Sequence, residues 1–273
     1  MKSSFLIMLC LVLASCVASV LFCFYQYHLP YYFLTSCVST PVQNIGQNET
    51  LGAYYQTSGN RLFAAQLALS LFRRAYKSSP LFLYIDRPDA QQSFWNQYEP
   101  LFVMPFDLKT QSSKISGTHF ATAAACVSYL KRVTAAAQNV DWLLLLEDDV
   151  WVCNSINFSD LKYDMNGQCI AKYDAWGELT PKIQKREACY GGYGGFILRG
   201  SFVRESMIVD RLYILQILAQ IKRPIASDEL LSAIFLKSNG TIGKFSGYAE
   251  SMSSDARPVV VHQMKGFYNH ASS

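Results

Sequence analysis

The 273-residue chain is poor in charge. Charged residues make up 16% of it, and 24 Lys and Arg stand against 20 Asp and Glu. No basic run of the kind that tracks phosphates along a strand is present, so nucleic-acid binding is not expected. With 51% hydrophobic residues the chain is not disordered. It has no Gly-x-Ser-x-Gly and no His-Glu-x-x-His, which removes two common hydrolase signatures. It has no Cys-x-x-Cys and no Cys/His spacing suited to zinc. Internal repeats and low-complexity tracts are also missing. What remains fits one large domain with a sizeable core and an added apolar segment.

That segment is Phe5–Tyr25, "FLIMLCLVLASCVASVLFCFY". At about 1.5 Å per residue it reaches roughly 30 Å, the thickness of a bilayer core. Lys2 precedes it, and no Lys or Arg follows until Arg61. By the positive-inside rule this predicts a cytoplasmic tail over 1–4, a signal anchor over 5–25, and everything later on the lumenal side. Small residues at Ala14–Ser19 keep a cleaved signal peptide as the alternative, and either way the remainder enters the secretory pathway. Residues 26–48, with Pro30 and Pro41, read as a stem. The domain is expected over 49–270.

Three glycosylation sequons begin at Asn48, Asn157 and Asn239. Five cysteines lie beyond the apolar segment, namely Cys37, Cys126, Cys153, Cys169 and Cys189. An odd number leaves at least one thiol unpaired within the chain. Cys153, Cys169 and Cys189 lie close in sequence, and one disulfide is expected among them, in a pairing that spacing does not choose.

From Leu51 strands and helices alternate. "LGAYYQTS" reads as a strand, and Asn60 is placed to cap a helix running to Lys77. "PLFLYID" (80–86) is a short buried strand, "DAQQSFWNQY" a helix, and "LFVMPF" (101–106) a third strand. Residues 118–138 form an alanine-rich helix. This alternation predicts an α/β fold, a mostly parallel sheet flanked by helices. Ligands of such sheets bind outside the carboxyl ends of the strands.

At one such end lies "WLLLLEDDVWVC" (142–153). Glu147, Asp148 and Asp149 close what reads as the most buried strand. Three like charges there repel unless a cation sits among them. Oxygen ligands suit a hard divalent ion, which can bridge a diphosphate. A strand-end turn with solvated acids is the plain alternative.

The run resembles the DXD-type motif of GT-A fold nucleotide-sugar glycosyltransferases, in the Glu-Asp-Asp form. It is similar to the motif of N-acetylglucosaminyltransferases that branch N-glycans, and to that of the N-acetylgalactosaminyltransferase acting on GPI anchors. Two further patches extend the resemblance. "CYGGYGGFILRGSF" (189–202) is similar to the glycine-rich segment that lines the sugar pocket, and implies Gly191, Gly192, Gly194 and Gly195 as binding positions. The alternative there is a ligand-free hairpin. "RPIASDELLSAIF" (223–235) places Asp228 and Glu229 in a first helical turn capped by Ser227. The family's inverting members use such a carboxylate as general base, which implies Asp228 with Glu229 in reserve. A pure capping role is the alternative, and with neither residue as base a retaining mechanism stays open.

The resemblance implies metal ligation by Asp148, Asp149 and His262, with Mn²⁺ or Mg²⁺ as the ion. A structural hydrogen bond is the plain alternative for His262. It implies donor or acceptor contacts at Glu147, Asp148 and Lys265, and at Arg61 and Asp86 on the nucleotide side. The expected protein is a single-pass type II enzyme of the Golgi or ER membrane. It would move a sugar from a UDP-sugar to a glycan or glycolipid hydroxyl. A non-catalytic lumenal domain binding a glycan or a partner is the alternative. A calcium-binding adhesion domain ranks last, because the repeated Asp/Asn spacing of a calcium loop is missing.

Overall fold

The structure, a computed structural model, describes residues 37, 49–57, 61–85, 92–104, 119–168, 194–206, 211–221, 224–249 and 259–262. The expected apolar anchor, Asn60, Asp86, Cys169, Cys189, Gly191, Gly192 and Lys265 lie outside these residues. Among the described residues no helix is long and apolar enough to cross a membrane.

Strand β1 (Leu51–Thr57) is buried along its whole length. It pairs in parallel with β2 (Leu81–Ile85) on one side and with β5 (Trp142–Leu146) on the other. β2 continues in parallel to β3 (Leu101–Val103) at the sheet edge. Beyond β5 lies the antiparallel β8 (Ile197–Arg199). β7 (Met165–Gly167) runs antiparallel to β8, and β10 (Ile242–Lys244) parallel to β7. The seven strands therefore run in the order β10-β7-β8-β5-β1-β2-β3, with β8 alone reversed. The expected mostly parallel sheet flanked by helices is the observed fold.

Period-2 alternation divides the apolar strands between two cores. Ala53, Tyr55, Leu144 and Leu146 face one cluster, which includes Leu69 and Phe72 of helix α1 (Leu62–Ala75). Tyr54, Leu143 and Leu145 face the other. That second cluster takes in α3 (Ala123–Ala136), α5 (Arg211–Ile221) and α6 (Ser227–Lys237). Between α1 and α3 lie the single-turn α2 (Gln92–Trp95) and β4 (His119–Phe120). Of the helix predicted over 89–98, residues 92–95 form one turn and Asn96–Tyr98 continue as a 3-10 turn, while 89–91 lie outside the described residues. The short α4 (Gly200–Ser206) follows β8 directly. The alanine-rich helix starts at Ala123, where the Thr122 side chain accepts a hydrogen bond from the Ala125 amide at 3.2 Å.

Arg73 anchors the C-terminal end of α1. Its guanidinium donates to the carbonyls of Tyr98, Tyr76, Ser79 and Pro100 at 2.6–3.2 Å. One side chain thereby joins α1 to the segments on both sides of β2.

Two small sheets complete the structure. β9 (Ile225–Ala226) pairs antiparallel with β4. β6 (Trp151–Val152) pairs antiparallel with β12 (Val260–Val261), which pairs in parallel with β11 (Tyr248–Ala249). The disulfide within the described residues takes a partner the spacing does not suggest, while a Cys169–Cys189 pair would lie outside them. Cys153 is bonded to Cys37, 116 residues earlier, rather than to Cys169 or Cys189. Both cysteines are buried with Trp151, Val261 and Leu71. Cys126 is free and buried on α3.

Candidate active site at the carboxyl end of the central strand

The strand order reverses between β1 and β5: β1 is followed in space by β2 on one side, and β5 leads to β8 on the other. A crevice opens at the carboxyl ends of such a strand pair. The three acids occupy that end. The Val150 amide donates to the Glu147 carbonyl at 3.1 Å and closes the turn, and β6 follows at once.

The β6–β12 register then determines what faces the turn. Val152 lies opposite Val260, and Trp151 opposite Val261. One further step brings His262 alongside Val150 and next to Asp149. The His262 amide is held by the Ala249 carbonyl at 2.9 Å. His262 Nε2 lies 3.8 Å from Asp149 Oδ1, and both side chains are 3% exposed. With Glu147 these residues form a group whose ligand atoms all lie within 4.8 Å of one another. Two carboxylates and an imidazole form a donor set suited to Mn²⁺ or Mg²⁺. The residues fit such an ion.

The three consecutive acids point in different directions. Glu147, expected to contact the donor, joins Asp149 and His262. Asp148, expected among the ligands, is turned toward β1. It accepts a hydrogen bond from the Tyr55 hydroxyl. Burial raises its carboxyl above the usual range, against the opposing pull of hydrogen bonds from Tyr55 and Thr57 and the charge of Arg61. Arg61, at the start of α1, is thereby brought to the same end of the sheet.

Glycine is required at two positions facing this turn. A Cβ on Gly194 would lie 3.1 Å from the Glu147 carboxyl carbon and 3.2 Å from a Val150 methyl. Gly195 has φ +83°, where any side chain is strained, and its Cβ would meet Val260 at 3.0 Å. The Tyr248 hydroxyl fixes the Gly194 carbonyl at 2.9 Å.

Helix α6 begins one residue earlier than expected. Ala226 occupies the cap position, and Ser227 is already helical. The Glu229 carboxylate accepts from the Ala226 amide at 3.0 Å and is buried. Glu229 therefore serves the first turn as a capping residue. Asp228 is half-buried and accepts from the Glu229 amide at 2.9 Å.

Tyr129 on α3 carries no signal in the sequence. Burial holds its phenol well above the usual value, and the charges of Tyr54, Glu147 and Asp228 add to that. Tyr55 is likewise absent from the sequence expectations. A tyrosine pair within an otherwise apolar strand is the signal that could have found it, because a buried hydroxyl needs a partner.

Two crystal structures of LgtC have a similar fold. One is of an active-site mutant, with TM-score 0.52 and 12% identity. The other is of the galactosyltransferase LgtC in complex with donor and acceptor sugar analogs, with TM-score 0.51 and 11% identity. Each match covers 78% of this chain and 87% of LgtC. No family model and no curated protein matches the sequence. At this identity the likeness is one of fold.

Proposed function

We propose that the chain is a metal-dependent glycosyltransferase that takes a sugar from a nucleotide diphosphate donor, a UDP-sugar, and passes it to a hydroxyl of a glycan or glycolipid. The observation that carries the reading is the meeting of Glu147, Asp149 and His262 at the switch point of a sheet whose fold is similar to that of LgtC. Those three residues would hold Mn²⁺ or Mg²⁺, which supplies the counter-charge for the diphosphate. Arg61 adds positive charge at the nucleotide end. Gly194 and Gly195 let the backbone approach the sugar.

Asp228 is the proposed base. Its carboxylate takes the proton of the acceptor hydroxyl as that oxygen bonds to the anomeric carbon. The bond from that carbon to the diphosphate breaks, and its electron pair leaves with the phosphate oxygen. A one-step displacement of this kind inverts the anomeric centre. The apolar segment 5–25 is the proposed membrane anchor, with the domain in the Golgi or ER lumen. Asn157 and Asn239 are exposed, as glycan attachment there requires.

The test is thermal unfolding of the full chain in detergent, with Mn²⁺ and a panel of nucleotides. A ligand of the native state raises the melting temperature by mass action. A rise with UDP that needs Mn²⁺ and vanishes in Asp149→Ala is the expected result. No rise with any nucleotide would favour a non-catalytic binding domain.

A further inference from the structure

The proposed reaction assigns roles to the metal end and the base end of the site. What lies between them is α3. The strand registers place Tyr129 there from two directions. Its ring meets Tyr54 edge-on at 6.0 Å, and Tyr54 is level with Leu145 in the β1–β5 register. Glu147 lies two residues beyond Leu145, so alternation turns it toward the α3 side. On the other flank, Tyr129 packs on Phe120 with ring centres 4.8 Å apart. Phe120 is opposite Ile225 in the β4–β9 pair, three residues before Asp228. Glu147 and Asp228 are each half-buried, so both reach the crevice. Tyr129 is 3% exposed.

The phenol is held by its ring alone. Its hydroxyl makes no hydrogen bond with the described residues, whereas the neighbouring Tyr54 hydroxyl donates to Gln56 and accepts from Arg132. A rigid donor set by its ring contacts between the elements that carry the two carboxylates is suited to a ligand hydroxyl.

We propose that Tyr129 determines sugar specificity, donating a hydrogen bond from its hydroxyl to a hydroxyl of the sugar being transferred. This rests on the transferase reading. The diphosphate lies toward Glu147 and the acceptor toward Asp228, so the group between them meets the transferred sugar and not the nucleotide. A site built to bond a substrate hydroxyl discriminates against epimers that misplace it.

The test is calorimetric titration of the full chain in detergent with Mn²⁺. The ligands are UDP and then UDP-galactose, UDP-glucose and their two N-acetylhexosamine counterparts. In Tyr129→Phe, which keeps the ring, the preferred UDP-sugar is expected to bind about tenfold more weakly, the cost of one hydrogen bond. UDP itself stays within about twofold, and the preference among epimers narrows. Unchanged UDP-sugar binding overturns the proposal, and so does an equal loss for UDP. Phe120→Leu keeps the hydroxyl and loosens its support. A sugar-selective loss there that Tyr129→Phe does not show would assign the effect to packing and also overturn it. Wild-type protein that binds neither UDP nor any UDP-sugar removes the transferase reading, and this inference with it. Wild-type binding with an unaltered Tyr129→Phe profile removes this inference alone.

Discussion

At the residue scale the site depends on what is missing from two side chains. Gly194 leaves room for the Glu147 carboxyl, and Gly195 supplies a backbone angle that other residues resist. Gly194→Ala is expected to fold normally and to weaken Mn²⁺ binding about tenfold, by displacing one ligand of three. Titration of the metal, followed by tryptophan fluorescence, would measure it. Gly195→Ala is expected to lose about 1–2 kcal/mol of stability through strain at positive φ, readable in chemical denaturation. The resemblance singles out both glycines, but their reasons are geometric and arise across long separations. Tyr55 and Asp148 are 93 residues apart, and nothing local in either segment shows that they meet. The different placement of Glu147 and Asp148 has the same origin. Three consecutive acids are equivalent on paper until the turn decides which way each one points.

At the element scale, legibility follows burial and length. β1, β2 and β5 are apolar runs of five to seven residues, and the sequence pattern locates each within two residues of its ends. β6 and β12 have two residues each and no periodicity of their own. They are strands because they pair with each other across the site, a tertiary fact that no local window contains. Yet they carry His262 to Asp149. The disulfide at the end of β6 escapes the sequence for a related reason. Nearness along the chain favours Cys169 or Cys189, while the fold brings Cys37 to Cys153. Cys37→Ser is expected to lower stability by about 4 kcal/mol, given the long loop that the bond closes. It should weaken metal binding as well, because β6 loses its support beside His262. Melting temperature and metal titration on one sample would show both. A fragment made for such work must retain Cys37.

At the scale of the whole molecule, the core of the described residues carries many buried hydroxyls and one buried free thiol, Cys126. Burial pushes the Cys126 thiol up to about 12, and it raises the phenols of Tyr76, Tyr98, Tyr129 and Tyr213. In the native state these groups keep protons that the unfolded chain releases above about pH 9. Through these groups the native state binds more protons there, so they lower stability as pH rises from about 9 toward 12, outnumbering Arg73, which burial lowers to about 10 and which acts in the opposite sense above that. Denaturant midpoints recorded across that range should decline steadily, and Cys126→Val should make the decline shallower. Below about pH 8 the same groups are neutral in both states and contribute no slope. Cys126 should also resist alkylation at about pH 8 in the folded chain and react only on unfolding.

The Cys37–Cys153 bond has one more consequence. The apolar run ends at Tyr25, and twelve residues later the chain is already fastened beside the turn that carries Asp149. Twelve extended residues span at most about 40 Å. With residues 5–25 as the proposed anchor, the leash is measured to Cys37 and not to the first strand, and the crevice cannot drift more than about one domain diameter from the lipid. Such a geometry favours acceptors borne on the same membrane. They are met by diffusion in two dimensions, whereas a freely dissolved glycan must find a site confined to a thin layer above the bilayer.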